Sequence, residues 1–357
     1  MGLRLFCFLV GVASTSVRLA VIYCPPPGGL ASAPLLRVVG ASLACELTAV
    51  GSAPLSFPAG VLPQCPEPPD QFAPPAWIAG HNASDVLLGF FQSEVLLRLS
   101  LDSGAFTLPS PLHLGFTFDD AILPPGSSVL RGLTGAWYKT NPNCTNGCFS
   151  WASADLATGA VTPPSEATML GIQETMGGSM WPAQEAGQVW FQGGMATNPA
   201  WKCAEGWCNF RVSVDSGELM EVASVMPPQV ATHCYAPGSG SAPLAFAEDL
   251  DCGGGHPGEH DWGIARIHFE NGSHSTVACL PAGVAVSGAP DISSFSDDGT
   301  LLAQASPWWF TDGPLHLLVF KATGELVLDS NLAALPGLLH PGQNASLISI
   351  SAVGFVV

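Results

Sequence analysis

The feature that most constrains this chain is a turn that keeps returning. A strand-like run closing on a short polar turn and a glycine occurs at Asp102-Ser103-Gly104, Ala157-Thr158-Gly159, Asp215-Ser216-Gly217, Asn271-Gly272 and Ala322-Thr323-Gly324. Successive separations between Gly104, Gly159, Gly217, Gly272 and Gly324 are 55, 58, 55 and 52 residues. A fainter copy, Cys45 to Gly51, lies 53 residues upstream of Gly104. Asp, Ser, Thr and Asn hydrogen-bond their own backbone in tight turns, and glycine supplies the positive φ that a hairpin turn demands. A steady period of this size marks one supersecondary unit laid down repeatedly, each burying its apolar face on the next.

The runs before the turns alternate. Val95, Leu97, Leu99 and Leu101 fall on one side, with Leu96, Arg98, Ser100 and Asp102 on the other. Likewise Cys208, Phe210, Val212 and Val214 oppose Asn209, Arg211, Ser213 and Asp215. A period of two is the mark of a strand. Upstream, Phe90-Phe91-Gln92 matches Trp190-Phe191-Gln192, and the stretch from Ser294 to Leu302 reads as strand, turn and strand. Each repeat therefore has room for about four short strands. Forty glycines and 32 prolines agree, because both interrupt helices. With 47% hydrophobic residues and a mean hydropathy of +0.34, disorder is excluded.

These units predict an all-β fold, a single β-propeller of six four-stranded blades spanning residues 24–357. The turn Asp155-x-x-Thr158-Gly159 resembles the outer-hairpin signature of quinoprotein-type and lactonase-type propellers. In the quinoprotein pattern a tryptophan follows the Thr-Gly, whereas Ala160-Val161-Thr162-Pro163 follows here. Runs such as Ser127 to Gly135 read as innermost strands. Too little chain precedes Gly51 for four strands. Ser346 to Val357, where Ile348 and Ile350 alternate with Ser349 and Ser351, is expected to pair with the N-terminal strands and complete a blade. Closure of that kind removes exposed sheet edges.

The N-terminus reads as a leader. Met-Gly-Leu-Arg is followed by the apolar run Leu5 to Val12 and by small residues from Ala13 to Ser16. That is the order of a cleavable signal peptide, here 1–16 with an outer limit at residue 23. The competing reading, a signal anchor reaching Tyr23, is interrupted by Arg18. Apart from Cys7 the chain has ten cysteines, an even number. Cys144 with Cys148, Cys203 with Cys208 and, less tightly, Cys234 with Cys252 are close in sequence; Cys24, Cys45, Cys65 and Cys279 are left without an assigned pairing. In an oxidising compartment such cysteines form bridges. The sharper alternative is a four-thiolate Zn²⁺ site from Cys144, Cys148, Cys203 and Cys208. Sequons for N-glycosylation begin at Asn82, Asn143, Asn271 and Asn344. Together these features predict an extracellular protein with no stable membrane span.

Charge narrows the partners. Ten basic residues against 28 acidic ones give a net charge of −18, which excludes phosphate-backbone binding and disfavours anionic membranes. Three of those ten, Arg98, Arg211 and Arg266, each stand six residues before a repeat glycine. They read as structural members of the repeat, pairing between strands or packing their stems between blades, rather than as a ring of cations around a ligand. The densest polar stretch holds His256, Glu259, His260 and Asp261, donors suited to Zn²⁺ or Ca²⁺, on a segment that Pro257-Gly258 keeps from being a helix. Trp201, Trp207, Trp308 and Trp309 are candidates for an aromatic binding surface. The sequence has no phosphate-binding glycine loop, nucleophile elbow or His-Glu-x-x-His motif. The expected role is binding of an extracellular protein or glycan. The alternative is a Ca-dependent hydrolase of lactonase-like type, with Asp119, Asp120 and Asp291 near strand entrances. A quinone-dependent oxidoreductase ranks third.

Overall fold

The computed structural model describes residues 16–24, 35–42, 46–54, 76–82, 85–90, 94–103, 112–118, 120–124, 127–134, 149–164, 174–175, 180–182, 187–194, 207–223, 232–236, 242–247, 250–252, 262–268, 273–280, 293–296, 298–306, 316–331 and 349–356. Among them the chain is all-β, with 25 strands gathered into six antiparallel sheets. No helix among these residues is long and apolar enough to cross a membrane.

The first sheet joins the two ends of the chain, in the order Ser349–Val356, Ser16–Cys24, Leu35–Ser42 and Glu46–Pro54. The second runs Ala76–Asn82, Asp85–Phe90, Val95–Ser100 and Leu112–His113; the third, Asp120–Ile122, Val129–Thr134, Ser150–Asp155 and Val161–Thr162. In the fourth, Glu174–Thr175 and Trp181–Pro182 share the edge of Gln188–Gly194, followed by Trp207–Ser213 and Leu219–Ala223. The fifth comprises Thr232–Ala236, Leu244–Ala247, Gly263–His268 and Ser273–Cys279. The sixth comprises Ser293–Phe295, Leu301–Ser306, His316–Lys321 and Leu326–Asn331.

One register recurs. In every sheet the first strand begins beside the end of the second and the start of the third, as Thr232 opposite Ala247 and Ala247 opposite Gly263 illustrate. Both faces of each sheet are apolar because each packs on two neighbours. Val95, Leu97 and Leu99 of the second sheet meet Ala20 and Ile22 of the first, while Leu96 on the opposite face joins Leu130 and Ala152 of the third. Leu133 and Trp151 of the third meet Phe191 and Phe210 of the fourth, and Trp190 turns the other way onto Ala245 and Ala265 of the fifth. Phe246 and Ile264 of the fifth pack on Leu302 and Phe320 of the sixth. Leu317 and Val319 of the sixth then pack on Leu19 and Val21 of the first, so the succession of apolar seams returns to its start. Such buried side chains are worth about 1.5–3 kcal/mol each, which makes the seams the main source of stability.

The strand expected near the C-terminus is present, with Cys24 opposite Ser349 and Arg18 opposite Val356. Several sequence expectations are corrected. Gly51 is not a turn residue: it lies within Glu46–Pro54 opposite Val38, beside a register irregularity, and the hairpin connection is 43–45. Val129–Thr134, read as an innermost strand within 127–135, is the second strand of its sheet, because Asp120–Ile122 lies beyond it. The match of Phe90-Phe91-Gln92 with Trp190-Phe191-Gln192 is out of register, since Arg98 faces Leu87 where Arg211 faces Trp190. Residues 17–23, inside the outer limit set for the leader, form part of a strand paired on both sides.

Candidate functional site

The repeat turns show what their sequence is for. At Asp155 one carboxylate oxygen accepts the Ala157 N–H at 2.9 Å and the Ser128 hydroxyl at 2.9 Å, and the other accepts the Thr158 hydroxyl at 2.7 Å. The Gly159 N–H closes the turn on the Asp155 carbonyl, and Gly159 takes a φ of 75°. These donors favour the ionised form, so the Thr158 hydroxyl first, then the Ala157 N–H and the Ser128 hydroxyl, hold the carboxyl below its ordinary range. Asp298 in the sixth sheet repeats the device between its first two strands. It accepts from the Ser296 hydroxyl at 2.6 Å and from the Thr300 N–H and hydroxyl, and its carboxyl is lowered in the same way, by Ser296 foremost. Gly217 and Gly324 have φ values of 69° and 84°, as the repeat predicts. Gly104 and Gly272 lie outside the described residues.

The three repeated arginines occupy the third strands of the second, fourth and fifth sheets. Arg98 pairs with Asp85 at 3.0 Å, both largely buried. Arg211 bonds Glu221 at 2.6 Å and Gln188 at 3.0 Å, with its guanidinium 5.6 Å from the centre of the Trp190 ring. Arg266 donates to the Ala242 carbonyl at 3.3 Å. Each of these bonds runs to the arginine's own sheet or to the segment leading into it. A fourth arginine, missed in the sequence, bridges sheets: Arg131 reaches Asp215, in the turn of the fourth sheet, at 2.9 Å. Only the position of Asp215 in the repeat turn could have hinted at it.

The bridge assignments change at one point. Cys252 is joined to Cys279, not to Cys234, with the two Cα atoms 5.9 Å apart. The register explains the choice: Cys279 faces Gly263, the first residue of the strand that follows the 248–262 connection, which brings it beside the stem carrying Cys252. Trp262 at the other stem stacks on Phe246 at 5.1 Å between ring centres. Cys144, Cys148 and Cys203 lie outside the described residues, and the backbones of Cys208 and Cys234 lie in strands. His256, Glu259, His260 and Asp261 also lie outside them, as do Asn143, Asn271 and Asn344; Asn82 closes the strand Ala76–Asn82. Among the described residues no three His, Cys, Asp or Glu side chains are grouped to hold a metal ion.

Buried polar side chains gather toward one end of the sheets. Thr134 and Ser150 face each other in the third sheet, and Ser293 faces Gln304 in the sixth, in each case at or next to the start of the first strand. Asn209, 1% exposed and opposite Gln192, stands at the corresponding end of the fourth sheet, and neither of its side-chain polar atoms has a hydrogen-bond partner among the described residues. From this end leave the connections between second and third strands: 25–34, 91–94, 135–149, 195–206, 248–262 and 307–315. From the other end leave those between first and second strands: 83–84, 123–128, 183–187, 237–243 and 296–300. Apart from 91–94, every connection of the former group is longer than any of the latter.

No family model matches the sequence, and no curated protein matches it. Among solved structures the chain is similar to a functionally unknown protein from Desulfotomaculum acetoxidans, with 10% identity and a TM-score of 0.46 over 96% of this chain and 99% of that one. It is similar also to a putative TolB from Agrobacterium tumefaciens, with 11% identity and a TM-score of 0.44 over 96% and 99% of the two chains. A quinoprotein alcohol dehydrogenase-like protein from Bacteroides thetaiotaomicron matches with 11% identity and a TM-score of 0.39, over 97% of this chain and 70% of its own. At this level of similarity they lend neither ligand nor reaction to this chain.

Proposed function

We propose that the six sheets are the blades of a closed six-bladed β-propeller, and that the face carrying the long connections binds a protein or glycan partner outside the cell. The observation that carries this reading is the length of the second-to-third connections, five of the six being longer than any first-to-second connection. Rigid scaffolds place binding residues on long loops, while the opposite ends need only turn the chain. In sequence, the long connections hold Trp201, Trp308 and Trp309, aromatic side chains suited to stacking on sugars or packing in protein interfaces. The leader, the sequons at Asn82, Asn143, Asn271 and Asn344 and the cysteines support a secreted, glycosylated, disulfide-bonded chain.

The test is a glycan array together with cross-linking on cells, using the secreted protein and a W201A/W308A/W309A variant. Binding that the triple variant loses, and that substitutions in the 237–243 connection leave intact, supports the reading; binding indifferent to all three tryptophans overturns it. A second reading has its own observation: Asp120 opens the first strand of the third sheet, with Asp119 before it, and Asp291 stands two residues ahead of Ser293. Carboxylates at such positions suit a Ca-dependent hydrolase. Stoichiometric Ca²⁺ in the purified protein, with lactone or ester hydrolysis lost on chelation, would move the assignment there.

A further inference from the structure

Where the fifth and sixth sheets meet, the seam changes character along its length. Phe246 and Ile264 of the fifth sheet pack on Leu302, Leu318 and Phe320 of the sixth. Toward the end that carries the long connections, the sixth sheet turns polar on that same face. Gln304, Leu318 and Asp329 stand in one row across three strands, and His316 and Asn331 stand opposite each other in the next row. Residues directly opposite in antiparallel strands share a face, so the packing of Leu318 on the fifth sheet fixes the direction in which this polar group looks. Ser293 and Gln304, paired with each other, are 5% and 0% exposed, which carries the polar character below the surface. The side chains of His316 and Asp329 are 29% and 44% exposed and meet solvent.

His316 and Asp329 set each other's hydrogen-bonding pattern. Nδ1 of His316 lies 2.5 Å from Oδ1 of Asp329, so the Nδ1–H donates to the carboxylate and Nε2 of the neutral ring is an acceptor. Oδ2 of the carboxylate is a second acceptor, and the exposed Asn331 brings an amide that both donates and accepts. The other ion pairs between described residues, Arg98 with Asp85, Arg131 with Asp215, Arg211 with Glu221 and Lys321 with Glu325, lie toward the opposite end of the sheets. Across the seam the fifth sheet supplies an aromatic ring. The Trp262 carbonyl accepts the Leu280 N–H at 2.8 Å, which continues the third strand one residue before Gly263. Two residues ahead of Ile264, Trp262 shares its face and packs, partly buried, in the same seam. Phe246 stacks on it at 5.1 Å between ring centres, with 28° between the planes.

We propose that this end of the seam between the fifth and sixth sheets is a binding site for a neutral glycan, with Trp262, His316, Asp329 and Asn331 as its contacts. A pyranose ring presents an apolar C–H face and a rim of hydroxyls, each a donor and an acceptor. An indole ring takes the first, and fixed acceptors beside an amide take the second. The net charge of −18 repels sialylated and sulfated sugars, which makes the ligand an uncharged one. This rests on the reading that the face with the long connections binds a partner, and it commits that partner to a sugar.

The test is a printed array of neutral, sialylated and sulfated oligosaccharides, followed by calorimetric titration of the strongest neutral one. His316→Ala and Asp329→Ala should each weaken its binding by roughly tenfold or more, with thermal midpoints unchanged. Lys321→Ala, at the opposite end of the strand that His316 opens, should leave the affinity as it is. Trp262→Ala also removes a ring that packs on Phe246, so Trp262→Phe accompanies it and should keep part of the affinity that the alanine loses. Neutral-sugar binding that W201A/W308A/W309A abolishes, and that His316→Ala and Asp329→Ala leave intact, overturns this site while the reading of the face stands. An array with no neutral ligand, including one in which cross-linking on cells captures a protein instead, overturns the glycan. Neutral-sugar binding that survives both sets of substitutions overturns the face itself.

Discussion

The turns of the third and fourth sheets share a repeat position and do different work. At Asp155 to Gly159 the carboxylate serves its own turn, and a Cβ at Gly159 would meet only the tip of Leu112, at 3.9 Å. At Asp215 to Gly217 the carboxylate leaves the turn for Arg131 of the neighbouring sheet. A Cβ at Gly217 would stand 2.3 Å from Trp151, whose ring N–H donates to the Val214 carbonyl at 3.1 Å. The first turn bonds only within its own sheet, to its own residues and to Ser128; the second is a clasp between sheets. Glycine is needed in both for its positive φ, but in the second it is needed also for the space a side chain would fill.

The largest effect should fall on the clasp. Trp151→Ala removes a buried ring and should cost about 3–5 kcal/mol. Gly217→Ala adds strain at positive φ to a collision with a ring held by its own hydrogen bond, about 2–4 kcal/mol in all. The two changes should add only in part, because losing the ring relieves the collision at Cγ and Cδ1 while the Cβ of residue 151 stays 2.3 Å from the new methyl group. Denaturant unfolding of the single and double variants checks this. Simple additivity would break the comparison between the two turns.

Gly324 separates space from strain more cleanly. A Cβ there would lie 2.1 Å from the Cβ of Ala278 in the fifth sheet but 3.4 Å from its Cα. Gly324→Ala should therefore cost about 2–3 kcal/mol, and adding Ala278→Gly should bring back all but the conformational part of the turn itself. Gly159→Ala, with no collision to relieve, should cost about 1 kcal/mol on its own. Thermal unfolding should rank Gly217→Ala and Gly324→Ala well below Gly159→Ala. Equal midpoints would mean that the seams yield to an added methyl group.

What could be read from the chain follows from how local each interaction is. Asp155, Thr158 and Gly159 satisfy one another within five residues, so the turn chemistry was visible in the sequence. So was the alternation that sends Phe210 and Val212 into one seam and leaves Arg211 to the other face. Gly51 misled because a glycine at a strand irregularity carries the same local pattern as one in a turn. The Cys252–Cys279 bridge was hidden because nearness along the chain favoured Cys234, whereas register across a sheet decides which thiols meet. The two-residue and three-residue first strands of the third, fourth and sixth sheets are too short to show any period, which is why 127–135 was read as innermost. The His256 to Asp261 segment and Trp201, Trp308 and Trp309 lie outside the described residues, in stretches whose chemistry no repeat or alternation constrains.

Acid should act on the Asp155 turn. The Asp155 carboxyl is held below its ordinary range by the Thr158 hydroxyl, the Ala157 N–H and the Ser128 hydroxyl. A carboxyl lowered in the folded state stabilises above its unfolded value and loses that contribution as pH falls through the folded one. The stability difference between the natural protein and Asp155→Asn should thus be largest near neutrality and shrink below about pH 4. Asp298, lowered chiefly by the Ser296 hydroxyl, should lose its contribution in the same window. A difference that stays constant from pH 7 to pH 3 would show that the charge of Asp155 has no part in closing the turn.

The smallest effect should come from the ion pair of the clasp. Asp215 is 81% exposed and its partner Arg131 only 18%, so water screens the carboxylate while the guanidinium stem stays packed. Exposed pairs are worth about 0–1 kcal/mol and weaken as salt is added. Asp215→Asn should therefore lower stability by no more than about 1 kcal/mol at low ionic strength, and by an amount lost in scatter at about 1 M salt. Arg131→Ala should cost more and keep most of its cost in salt, because it also removes the apolar stem from the sheet. If the two substitutions lose the same stability and respond alike to salt, the clasp depends on charge. If they separate as expected, what holds the fourth sheet's turn to the third is the fit of Gly217 on Trp151, and the ion pair only trims it.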